Sequence, residues 1–187
     1  MARLVWSLSA CVVCLSLTTL AAAQSPPAVG DSVPDFSLKD LGGKNVKLSE
    51  QYAKGPVVLV VLRGYPGYQC PFCSQQVGNL LKSAKEFERS GAQVVMVYPG
   101  PANGLDARAR EFAMDKQFPA NFSLLVDPDL KVTDAYHLRW NAPNETAYPS
   151  SFVIDRGGKV LYAKVSKVHG DRAATKDLLG ALPKTGS

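Results

Sequence analysis

The chain has 187 residues, 46% of them apolar and 20% charged, with a formal net charge of +5. Such a composition excludes a disordered tail and a multi-span membrane protein. The 21 Lys and Arg are scattered along the chain and rarely adjacent, which is the pattern of a solvated surface and argues against nucleic acid as a partner.

The first segment stands apart. Arg3 precedes a weakly apolar run from Leu4 to Ala23 that ends in Ala21, Ala22 and Ala23. A positive start, an apolar centre and an Ala-x-Ala end predict a cleaved secretory signal over residues 1–23 and a periplasmic or secreted location. The run is also long enough to cross a bilayer, so a membrane attachment is expected only if the signal stays uncleaved. Residues 24–29 form a polar leader in which Pro26 and Pro27 stop any helix. Residues 30–187 then read as one α/β domain.

Phe36 to Leu38 and Val46 to Leu48 flank Leu41, Gly42 and Gly43, which predicts a hairpin. Val57 to Leu62 is a continuous apolar run, the mark of a strand buried on both faces. From Pro71, the residues Val77, Leu80, Leu81, Ala84 and Phe87 recur at helical spacing, with Gly91 as the stop. Val94 to Tyr98 predicts a strand, Asp106 the cap of a helix carrying Ala109, Phe112 and Ala113, and Ser123 to Val126 another strand. Asp129 to Tyr136 reads as a short helix, Phe152 to Asp155 with Val160 to Val165 as a hairpin turning at Gly157 and Gly158, and Asp171 to Leu182 as a final helix. This alternation predicts helices flanking a central sheet.

The chemistry lies at one joint. Cys11 and Cys14 belong to the expected signal, which leaves Cys70 and Cys73 as the cysteines of the domain. Cys70 falls where the apolar strand gives way to the long helix, with Pro71 at the first helical position. The free N–H groups of a helix start favour a thiolate, so Cys70 is expected to ionise below the ordinary value of about 8.5 and act as nucleophile. Cys73, one turn on, is placed to resolve the reaction through a Cys70–Cys73 disulfide. A bridge closing so short a loop restrains the unfolded chain weakly, which favours redox work over a passive staple. Zinc needs two ligands more than this pair supplies, and haem attachment fails because Ser74 stands where C-x-x-C-H needs His. No cofactor is expected.

Gly30, Asp31, Val33, Pro34, Asp35 and Phe36, then the Val57 to Leu62 strand leading to Cys70, then Pro149 to Asp155 and Gly158, resemble the thioredoxin-fold redoxins of the AhpC/TSA group. That group includes the peroxiredoxins. The resemblance spans about Gly30 to Leu182, and it implies a thioredoxin-like fold: a central mixed sheet flanked by helices, with the hairpin as an N-terminal extension. It also implies an oxidoreductase acting on thiol, disulfide or peroxide substrates.

Departures from the peroxiredoxin pattern shape the expected mechanism. Gly67 stands where that group places a hydroxyl three residues before the attacking cysteine, and Arg63 where it places Pro. Pro149 stands where it places an Arg before the Phe-Val-Ile-Asp strand. A proline there is instead similar to the thioredoxin and TlpA/ResA disulfide reductases, so Pro149 is expected to be cis and to present backbone groups to an extended peptide. Arg63, Tyr65 and Tyr68 could supply replacement donors for a peroxide or the thiolate. His137, His169 and Trp140 read as ordinary surface or packing residues. The sequence therefore points to an exported thiol-disulfide oxidoreductase that exchanges with a protein partner and is reset by an external thiol donor. The alternatives are an antioxidant thiol peroxidase, with Cys70 oxidised to a sulfenic acid, and a copper assembly factor resembling the Sco proteins, although Asn141 to Ser151 lacks the His that group carries.

Overall fold

The Val57 to Leu62 run supplies the middle of the molecule. In a computed structural model, which describes residues 25–184, strand β3 (Val57–Val61) has all five residues completely buried. The secretory segment expected over residues 1–23 lies outside the described residues. Burial is complete because β3 has neighbours on both edges and helices on both faces. It pairs in parallel with β4 (Gln93–Gly100) and antiparallel with β6 (Ser150–Ile154). Each buried valine contributes on the order of 1.5–3 kcal/mol of apolar transfer free energy.

The other elements are β1 (Ser37–Asp40), β2 (Asn45–Lys47), α1 (Leu48–Lys54), α2 (Pro71–Lys82), α3 (Ala84–Arg89), α4 (Leu105–Ala113), β5 (Phe122–Pro128), α5 (Lys131–Ala135), β7 (Val160–Val165) and α6 (Thr175–Gly180). They build one mixed sheet in the order β2-β1-β5-β4-β3-β6-β7. The central mixed sheet with flanking helices agrees with the sequence reading. The N-terminal hairpin extends the sheet through antiparallel pairing of β1 with β5.

Strand alternation sorts the core into two halves. Val58 and Val60 join Val94, Met96, Tyr98, Val77, Leu80 and Phe87 on one face, and both cysteines belong to that cluster. Val57, Leu59 and Val61 join Val95, Val97, Tyr136, Phe152 and Ile154 on the other.

Several boundaries differ from expectation, each for a local reason. Leu48 opens α1 instead of ending a strand, because Asp35 Oδ1 accepts the Ser49 N–H at 2.9 Å and fastens the helix start. Burial alone would raise the Asp35 pKa, but hydrogen bonds from Ser49 and Phe36 and the charge of Lys47 hold it below the ordinary range. The long helix breaks at Ser83 (φ −102°, ψ 19°), yet Leu80 and Phe87 still reach the same core from α2 and α3. Gly104 caps α4, and Asp106 lies within the first turn, where it pairs with Arg110. The last helix begins only at Thr175, because residues 169–172 form a turn in which the Arg172 N–H bonds to the Gly170 carbonyl at 3.0 Å.

Candidate active site

The loop after β3 is steered to the helix start by close backbone contact. Gly64 has φ +72°, and a Cβ there would lie 1.9 Å from the Pro99 carbonyl oxygen, which accepts the Tyr65 N–H at 2.9 Å. Only glycine fits such an approach. Gln69 is then pinned on both sides: its Nε2 donates to the Arg108 carbonyl at 2.9 Å, and its Oε1 accepts from the Tyr98 hydroxyl at 2.7 Å. Cys70 follows as the N-cap of α2 with extended backbone (φ −83°, ψ 114°), and Pro71 occupies the first turn. The sequence reading of this joint holds.

Both cysteines are free thiols, so the structure shows the dithiol state. Cys70 retains 2% exposure and Cys73 none. The Cys73 N–H bonds to the Cys70 carbonyl at 3.0 Å, closing the first turn. The ionisation of Cys70 is brought down to about 5, chiefly by the hydrogen bond from the Cys73 thiol. Burial opposes that shift, while the Cys73 N–H and the charges of Arg172 and Arg63 assist it. Expectation gave the leading role to the helix-start N–H groups, but the Cys70 side chain makes no capping hydrogen bond. The neighbouring thiol comes first instead. Cys73 is pushed well up, by the hydrogen bond it gives to Cys70 and by its own burial. One sulfur is thus poised as thiolate and the other held as thiol, the asymmetry that attack followed by resolution requires.

Arg172 is the residue the sequence did not reveal. Its Nη2 lies 3.6 Å from Cys73 Sγ and 3.8 Å from Cys70 Sγ. Its Nη1 donates to Gln76 Oε1 at 2.9 Å and its Nε to the His169 carbonyl at 2.7 Å. Gln76 is buried and in turn donates to Ser151 Oγ at 3.3 Å. This chain of hydrogen bonds fixes the guanidinium over the sulfurs. Arg172 is separated from Cys70 by 102 positions, and no local motif marks it.

Arg63 is a fully buried side chain, 1% exposed, and heads the large buried side chains among the described residues. Its Nε is ion-paired with Glu145, its Nη2 donates to the Asn144 carbonyl at 2.6 Å, and its carbonyl accepts from the Thr146 hydroxyl. The other Glu145 oxygen meets His169 Nε2 at 2.8 Å. Arg63 thus acts on Cys70 through its charge, while its Nε and Nη2 are engaged by the 144–145 turn. Tyr68, 48% exposed, lies against Arg63 with its ring centroid 4.9 Å from the guanidinium carbon. Tyr65 faces Arg108 instead, at 5.1 Å, and hydrogen-bonds neither sulfur. His169 and Trp140 prove to be neighbours of the site: their rings lie 5.1 Å apart, and Trp140 stacks on Tyr148 at 4.8 Å.

The expectation for Pro149 is corrected. Among the described residues no peptide bond is cis, so Tyr148–Pro149 is trans. The backbone groups expected to meet a peptide are already engaged. The Tyr148 N–H bonds to Leu138, the Tyr148 carbonyl accepts from the Ser150 hydroxyl, and the Pro149 carbonyl accepts from the Ser166 N–H. Pro149 is a buried position leading into β6. Among the described residues, no group of three or more His, Cys, Asp or Glu side chains could hold a metal ion. The copper reading therefore lacks a third ligand of those types beside the thiols.

A mixed sheet with a Cys-Pro-Phe-Cys turn at the head of its first long helix after the central strand defines a protein of thioredoxin-like fold. The AhpC/TSA family model matches residues 29–163, and the chain belongs to that family. It is 27% identical to the thiol-disulfide oxidoreductase ResA of Bacillus subtilis over 71% of this chain and 64% of that one. It is 32% identical to the chloroplastic peroxiredoxin Q of Triticum aestivum over 71% and 57%. The chain thus spans somewhat less than two thirds of either relative. Among solved structures, a peroxidoxin BcpB from Mycobacterium tuberculosis superposes with a TM-score of 0.67 at 28% identity, covering 86% of this chain and 99% of that one. A DsbE-type thiol:disulfide interchange protein from Chlorobium tepidum superposes with 0.62 at 30% identity, covering 84% and 99%.

Proposed function

We propose that the protein is a thiol-disulfide oxidoreductase in which Cys70 attacks and Cys73 resolves. The observation that carries this reading is a pair of free sulfurs one turn apart at the head of α2, both within 3.8 Å of the Arg172 guanidinium, an arrangement that brings Cys70 down to about 5 and pushes Cys73 up. The Cys70 thiolate attacks one sulfur of a partner disulfide, and a Cys70–partner bond forms as the partner's S–S bond breaks. The released partner sulfur leaves as thiolate. Cys73 then loses its proton and attacks Cys70, forming the Cys70–Cys73 bridge and freeing the second partner sulfur. Two electrons pass to the partner, and an external thiol returns them. The kinship to ResA and to the DsbE-type protein supports this route.

A second reading is a thiol peroxidase, favoured by the Arg172 guanidinium at 3.8 Å from Cys70 Sγ and by the kinship to peroxiredoxin Q. There the thiolate attacks a peroxide oxygen, the alkoxide or hydroxide leaves, and the sulfenic acid condenses with Cys73 with loss of water. Stopped-flow oxidation of the reduced protein by hydrogen peroxide, run beside reduction of a model disulfide, separates the two. Exchange carries the function if disulfide reduction is fast and peroxide oxidation no faster than that of a free thiol of the same pKa. The reverse pattern overturns it.

Export completes the proposal: residues 1–23 act as a signal cleaved before Gln24, and residues 30–187 work as one domain outside the cytosol. N-terminal sequencing of the mature chain tests the cleavage, with Gln24 as the expected first residue.

A further inference from the structure

The helix that carries the cysteines has a second side that exchange chemistry leaves unused. A groove of about 470 Å³ runs between α2 and the segment entering α6, within the range of about 300–1,000 Å³ typical of small-ligand sites. Phe72, Gln75, Asn79 and Lys82 line it from α2, and Arg172 and Thr175 from across. The α2 residues follow one another at helical spacing and so share a face. Two of the groove's residues are cations, and none is a carboxylate. Lys82 makes no ion pair among the described residues; it also borders a hollow over α3 in which Lys85 and Arg89 offset Glu86 and Glu88.

The groove meets the sulfur pair at Arg172 and Phe72. That junction makes its charge depend on the redox state. In the dithiol form the Arg172 guanidinium faces the Cys70 thiolate. Once the two sulfurs are joined in a neutral bridge, that negative charge is gone and the cation is left to the groove.

We propose that the groove receives the electron donor, a low-molecular-weight thiol bearing a carboxylate, and that it does so best in the disulfide state. The proposal rests on the exchange reading above and names the class of its donor. The donor thiolate attacks Cys70 Sγ of the bridge; a donor–Cys70 bond forms, the Cys70–Cys73 bond breaks, and Cys73 leaves and takes a proton. A second donor thiolate attacks the first donor's sulfur, forming the donor disulfide and releasing the Cys70 thiolate. Two thiols are oxidised and one protein disulfide is reduced.

The test uses the oxidised protein and three small thiols of different charge: 3-mercaptopropionate, 2-mercaptoethanol and cysteamine. Reduction is followed by quenched flow, and each rate constant is divided by that of the same thiolate with a free model disulfide, which removes intrinsic nucleophilicity. At low salt the anionic thiol should exceed the neutral one by about fivefold or more, and 0.5 M salt should erase the preference. Lys82→Glu, or Asn79→Asp, should cut the rate of the carboxylate-bearing thiol about three- to tenfold and that of 2-mercaptoethanol, whose thiolate carries one negative charge fewer, by a smaller factor; both positions are exposed on α2, so folding is not at stake. Equal normalised rates, or variants that shift all three thiols alike, overturn the groove assignment while exchange stands. A bridge that none of the three thiols nor dithiothreitol reduces overturns the exchange reading itself.

Discussion

Arg172 Nη2 stands 3.8 Å from Cys70 Sγ and is held there by Gln76 and by the His169 carbonyl. A cation so placed favours the thiolate over the thiol, and an opposite charge at such range moves an ionisation by about one unit or more. Arg172→Met should therefore move the Cys70 ionisation upward from about 5, and Arg172→Lys should restore part of the shift. Alkylation rate against pH in the reduced protein measures this directly. An unchanged midpoint in Arg172→Met would show the guanidinium to be a packing group only.

Cys73 sets the ionisation of its neighbour more strongly than either arginine. Cys73→Ala should raise the Cys70 midpoint further than Cys73→Ser, because serine keeps a donor hydroxyl where alanine has none. Both variants should trap the mixed disulfide with a substrate, since neither can resolve it. The depressed Cys70 value also sets a pH dependence of stability. Between about 5 and the ordinary thiol value of 9.0, the folded chain holds one proton fewer than the unfolded chain, so stability rises with pH. That contribution is complete above the ordinary value and is lost as pH falls through about 5. Urea midpoints of the reduced protein relative to Cys70→Ser should accordingly diverge as pH is raised from 5 to 8.5.

The elements that position the sulfurs were legible because their signals are local. The Val57 to Leu62 run reads as a doubly buried strand, and Cys-Pro-Phe-Cys at its far end reads as a helix start, from adjacent residues alone. The partners of the sulfurs are another matter. Arg172 arrives from the turn after β7, and Glu145 from a turn that follows α5. Each reaches the site only because β6 lies antiparallel beside β3 and β7 antiparallel beside β6. No period or cap in the chain marks a tertiary meeting of that kind. Pro149 illustrates the reverse error: a residue type suggested a backbone geometry, but hydrogen bonds to Leu138 and Ser166 fix the segment differently.

Asp127, fully buried at the end of β5, supplies the missing cap of α5. Its Oδ1 accepts from the Val132 N–H at 2.9 Å and its Oδ2 from the Thr133 N–H and hydroxyl at 2.9 and 2.8 Å. The neighbouring Asp129 and Leu130 have φ of +58° and +60°, which non-glycine residues adopt only when their surroundings fix the turn. Asp127→Ala leaves three buried donors without an acceptor and should cost about 2–4 kcal/mol. Asp127→Asn keeps one acceptor and should cost less. Equilibrium unfolding in urea checks both, with Cys70 alkylation as a control that should not move.

Glu145 and Arg172 are expected to act on Cys70 in opposite senses. Glu145 neutralises Arg63, whose charge is one of the influences lowering the Cys70 ionisation. Burial would raise the Glu145 pKa, but the bonds from Arg63 and His169 bring it below the usual carboxylate range. Its stabilising contribution is therefore present above that range and disappears as pH falls through its folded value. Glu145→Ala leaves a guanidinium that is 1% exposed without its carboxylate, and should cost about 3–5 kcal/mol. Adding Arg63→Met should recover part of that loss, since it removes the stranded charge. In Glu145→Gln the uncompensated Arg63 charge should move the Cys70 midpoint down, where Arg172→Met moves it up. Alkylation profiles of the two variants that shift in the same direction would show that the arginines do not act on the sulfur through their charge.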